Sequence, residues 1–130
     1  MVRGSWTKKM FIIGAVLDGL VAVVMLAPSL EALAWGFDEP MLNPGYRFAM
    51  TFGAALMVGW TALLVWAAAE PVDRRAVAPL TMLVVAGLMF AEFLGMASGF
   101  LPAPRVWALL VFQVALLVCF ALAFRAASER

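Results

Sequence analysis

Four stretches of this 130-residue chain are each apolar for about the length of a helix that crosses a bilayer, and together they occupy most of it. A crossing helix needs about 20 mostly apolar residues to traverse roughly 30 Å of hydrocarbon at about 1.5 Å per residue. The stretches run from Met10 to Ala27, Phe48 to Ala69, Ala76 to Phe100 and Val106 to Phe124. The second and fourth carry no charge, the first contains Asp18 and the third contains Glu92. Composition says the same: hydrophobic residues make up 66% and charged residues 13%, against roughly 45–50% and 25% in soluble domains. A 14.0 kDa sphere has too little interior to hide that much apolar surface from water. The expectation is one all-α domain over 1–130, an integral membrane protein built as a four-transmembrane-helix bundle.

Lysine and arginine orient it. Arg3, Lys8 and Lys9 precede the first span, Arg74 and Arg75 lie between the second and third, and Arg125 and Arg130 follow the fourth. The other two connections hold only Arg47 and Arg105. By the positive-inside rule both termini are cytoplasmic, in a multi-pass protein of the inner (plasma) membrane. Trp6 and Trp66 then mark the inner interface, with Trp35, Tyr46 and Trp107 at the outer one. Ala32-Leu33-Ala34 after an apolar run imitates a secretory cleavage site, but Asp18 interrupts that run and cleavage is not expected.

Pro28 ends or kinks the first span, and 28–37 reads as a short interfacial helix, with Glu31 in its first turn and Leu30, Leu33, Ala34 and Phe37 as an apolar stripe. The remaining connections are tight, so spans two, three and four should be antiparallel neighbours. Small residues let helices approach closely in lipid. Gly87, Ala91, Gly95 and Gly99 form such a stripe on span three, suited to packing within the bundle or to a second copy or membrane partner. Span four lacks glycine and reads as the most lipid-facing.

The intramembrane acids carry the functional information. An ionised carboxylate in mid-membrane costs about 2.5–3.5 kcal/mol on insertion scales, so such a group faces the interior and is neutral, paired or wet. No lysine or arginine lies within a span to pair with either acid. Asp18 and Glu92 are therefore candidate ligand- or proton-binding groups, with Thr81, Trp60 and Gln113 as companions in a polar cavity. The plainer alternative makes them neutral struts, hydrogen-bonded to Thr51, Thr61, Thr81, Ser98 or Gln113. Glu31, Asp38 and Glu39 read as a solvated, mildly acidic outer surface. Methionines such as Met82, Met89 and Met96, together with Cys119, could hold Cu(I), but no clustered ligand motif is present and they serve equally as core filling.

No histidine occurs, and no nucleophile–base pair or phosphate loop is recognisable, so enzymatic chemistry, a cofactor and a metal centre are not expected. The lack of basic runs argues against nucleic acid. Four short spans with an intramembrane acid resemble the small multidrug resistance transporters in outline only. That family has its glutamate in span one, where this chain has Asp18, and its span-four glycine motif is missing here. Two functions remain: binding or transport of a small or hydrophobic cationic solute through a polar cavity, or a non-catalytic scaffold or accessory subunit with structural acids.

Overall fold

The computed structural model describes residues 2–129, with side chains from residue 4 onward. Arg130 and the side chain of Arg3, which enter the charge asymmetry, lie outside the described part. Five helices follow one another: α1 (Val2–Leu26), α2 (Pro28–Trp35), α3 (Pro44–Ala69), α4 (Val77–Ala97) and α5 (Ala103–Ser128). The described residues contain no strand. Four of the helices are long and apolar enough to cross a membrane, α2 being the short one.

Local chemistry sets the helix ends. Pro28 lacks an N–H and pushes Ala27 into an extended conformation (φ −110°, ψ 100°), so α1 stops and α2 starts anew. Gly36 terminates α2 in the left-handed region (φ 77°), its N–H donating to the Ala32 carbonyl at 2.8 Å. The Asn43 side chain accepts from the N–H groups of Gly45 (2.9 Å) and Tyr46 (3.3 Å), and Pro44 fills the first position of α3. Gly99 (φ 76°) turns the chain after α4, with Phe100 and Leu101 both donating to the Gly95 carbonyl at 3.0 Å.

Packing departs from the neighbour order expected of short connections. α1 packs most extensively on α3 and also on α5, and α5 packs on α1 and α4; α3 and α4 touch sparingly despite their tight connection. A short loop fixes only where two helices meet, whereas side-chain fit fixes how far they stay together. The small faces of α1 and α3 fit each other: a Cβ on Gly14 would meet Leu64 at 3.2 Å, one on Gly19 would meet Thr61 at 3.8 Å, and Gly53 lies under the Met25 side chain. α5 is likewise not the most lipid-facing span. Val106, Phe120 and Ala123 are buried on it, and its alanines allow the close approach that glycine would have given.

The hydrophobic core sits at one end of the bundle, where α1 begins and α5 finishes. It comprises Met10, Phe11, Leu64, Ala67, Ala78 and Phe120 with their neighbours. Phe11 and Phe120 stack at a 6.5 Å centroid distance, and the Thr7 hydroxyl donates to the Ala123 carbonyl at 2.9 Å.

The opposite end is closed by polar bonds. Glu31, expected on a solvated surface, is 1% exposed. Arg47 donates to Glu31 Oε2 at 2.6 Å and to the Met25 carbonyl at 2.9 Å, and the Tyr46 hydroxyl donates to Glu31 Oε1. Arg105 donates to the Leu33 and Ala34 carbonyls at 3.2 Å, satisfying the end of α2. Phe100 lies against Phe37 and Tyr46 at 5.4 and 6.2 Å. Helix α2 is thus tied to α1, α3 and α5 as a lid.

The total accessible surface is 7946 Å², above the roughly 6,700 Å² of a compact soluble chain of this mass. Much of the excess is apolar and outward: Phe48 is 73% exposed, and Leu83 and Val111 are each 70% exposed.

Candidate functional site

Between the hydrophobic core and the α2 lid lies a polar layer, positioned by helical periodicity. At about 100° per residue the buried residues of α1 (Thr7, Met10, Phe11, Gly14, Ala15 and Ala22) fall on one stripe, and Asp18 sits at its centre. On α4 the stripe of Val77, Ala78 and Thr81 is centred in the same way on Glu92, and on α5 the stripe of Val106 and Phe120 includes Gln113. All three polar side chains therefore stand on inward faces. Asp18 is about 12 Å before the end of α1, and Glu92 about 8 Å before the end of α4.

The two acids differ in state. Glu92 is 8% exposed and Gln113 6% exposed. The Gln113 amide Nε2 donates to Glu92 Oε1 at 2.9 Å, linking α4 to α5. Two acceptors of this pair, Glu92 Oε2 and Gln113 Oε1, are buried without a hydrogen-bond partner. Only a donor or a cation can satisfy both, since each offers lone pairs alone. Asp18, by contrast, is only half-buried, and among the described residues it has no hydrogen-bond or ion-pair partner.

Thr81 and Trp60 lie at the base of the layer, beside the core. Trp60 Nε1 donates to Thr81 Oγ1 at 3.3 Å, and the Thr81 hydroxyl donates to the Val77 carbonyl at 2.8 Å. This pair supplies one of the few α3–α4 contacts. The predicted companions thus form two separate groups, Trp60 with Thr81 and Glu92 with Gln113, with Asp18 bonded to neither. Thr51 and Thr61 bond to their own helix, to the carbonyls of Arg47 and Met57. Ser98 bonds to the Gly95 carbonyl.

The small stripe of α4 divides. Gly95 packs under the Leu101 side chain, and Gly99 makes the turn. Gly87 and Ala91 are exposed, and a Cβ on Gly87 would meet nothing within 4 Å.

Sequence reasoning missed the Glu31–Tyr46–Arg47 cluster. The signal lay in Arg47, a lone cation at the foot of an apolar span, opposite an acid in the first turn of a short helix. Among the described residues, no group of three or more acidic or cysteine side chains is arranged to hold a metal ion. Comparison with known protein families, curated proteins and solved structures finds no match to this chain.

Proposed function

We propose that this is a multi-pass protein of the plasma membrane, with both termini cytoplasmic, that binds or carries a small or hydrophobic cationic solute at Asp18. One observation carries the reading: an acid at the centre of an inward helix face, half-buried and without a partner among the described residues. In low dielectric such a group is costly unless a cation, a proton or water attends it. The Glu92–Gln113 pair is bonded and buried between α4 and α5, which leaves Asp18 as the acid open to a ligand. The charge distribution supports the orientation, because both far-end arginines, Arg47 and Arg105, are engaged in holding α2.

The chain in nanodiscs, titrated calorimetrically with tetraphenylphosphonium as a lipophilic cation, tests this. Wild type should bind, more weakly as the pH falls, because a protonated Asp18 carries no charge. Asp18→Asn should bind about tenfold more weakly or less, since each 1.4 kcal/mol of lost attraction is a factor of about ten. Equal binding by wild type and variant would remove Asp18 from the site.

The second reading, a membrane scaffold or accessory subunit, is supported by Glu92 bonded as an interhelix strut and by the outward Gly87 and Ala91. Absence of cation binding in the wild type would favour it.

A further inference from the structure

A groove of about 480 Å³ runs along the outside of the bundle between α1 and α3, away from the polar layer. Its floor is made of Ala15 and Ala68, both buried, with Ala69 exposed at its edge; their small side chains leave the depression. Ile12, Val16 and Val65 form its walls. Lys8 stands at one end, and among the described residues it has no ion-pair partner; no acid lines the groove. Thr61 closes the other end with its hydroxyl turned back to the Met57 carbonyl, so the groove offers nothing polar beyond Lys8. From Lys8 to Val16 is eight residues, about 12 Å along the helix, close to the roughly 15 Å hydrocarbon depth of a single leaflet.

We propose that this groove seats one acyl chain of an anionic phospholipid, with Lys8 against its phosphate. Charge and length select this occupant. A second copy of the chain would bring no anion to Lys8 from an apolar helix face, whereas a lipid of the adjacent leaflet supplies both a chain of the right reach and a negative head. A lysine near the membrane surface favours an anionic headgroup by a factor of about five.

The test is native mass spectrometry of the whole protein with phosphatidylglycerol and phosphatidylcholine of identical chains. Wild type should retain phosphatidylglycerol about fivefold in preference. Lys8→Gln should bring the two lipids to parity, while Lys9→Gln, one residue away and outside the groove, should keep the preference. Ala69→Leu, at an exposed position on the groove's edge, should obstruct the groove and lower retention of phosphatidylglycerol, with an unchanged thermal melt showing that the fold is kept. The proposal is overturned if wild type holds both lipids equally, if the preference survives Lys8→Gln, or if Ala69→Leu leaves retention unchanged.

Discussion

At the scale of single residues, stability rests on a few buried polar bonds. Arg47 and Glu31 form an ion pair whose side chains are 20% and 2% exposed. Removing one member of a buried pair leaves the other charge uncompensated, at a cost of about 3–5 kcal/mol. Arg47→Met should therefore lower unfolding stability in detergent by that order, measured by denaturant titration, and free α2. Gln113→Leu should cost about 1–3 kcal/mol, because Glu92 would lose its partner. The double variant Glu92→Leu/Gln113→Leu should recover much of that loss, since no orphaned acceptor remains, and a double-mutant cycle reads the difference directly. The value of Glu92 and Asp18 as unusual groups was legible in the sequence, because an acid inside an apolar run conflicts with its surroundings. Their separation into a bonded strut and a partnerless carboxylate was not legible, since it depends on which helix stands opposite.

At the scale of elements, the glycines separate packing positions from free faces. A Cβ on Gly14 would lie 2.9 Å from Phe120 and 3.2 Å from Leu64, both in the core. Gly14→Ala should thus overpack the α1–α3–α5 junction and destabilise by about 1–3 kcal/mol. Gly87→Ala meets open space and should stabilise the isolated chain by up to about 1 kcal/mol through helix propensity. Paired thermal melts of the two variants check the contrast. If the outward face of α4 contacts a partner, Gly87→Leu should weaken that association without destabilising the isolated chain. The four long helices were legible as elements, and Pro28 marked the end of the first; their other ends were less so, since α1 begins at Val2 rather than Met10, α3 at the Asn43 cap rather than Phe48, and α4 stops at Ala97 because Gly99, read as a packing residue, turns the chain. The short helix after the first span, expected over 28–37, runs from Pro28 to Trp35 because Gly36 adopts the left-handed conformation that ends it. Less legible was the role of α5, where alanine, unremarked beside glycine, provides the close approach.

At the scale of the whole molecule, charge asymmetry and the core-to-lid layering make a topology that can be measured. In a Cys119→Ala background, Ser98→Cys should react with a membrane-impermeant maleimide in intact cells, and Ser128→Cys only after permeabilisation. The reverse pattern would invert the proposed orientation. The sequence by itself determined that the chain is all-helical with four helices able to cross a bilayer, that the first ends at Pro28, and which two acids stand among them. These follow from hydropathy and proline, which act over a few neighbouring residues and add along the chain. Only the tertiary structure decided that α1 pairs chiefly with α3, that α5 lies between α1 and α4, and that Glu31 is buried under Arg47 and Tyr46. Those outcomes depend on the fit of side chains far apart in sequence, and in lipid no hydrophobic drive ranks one helix pairing above another before the surfaces meet.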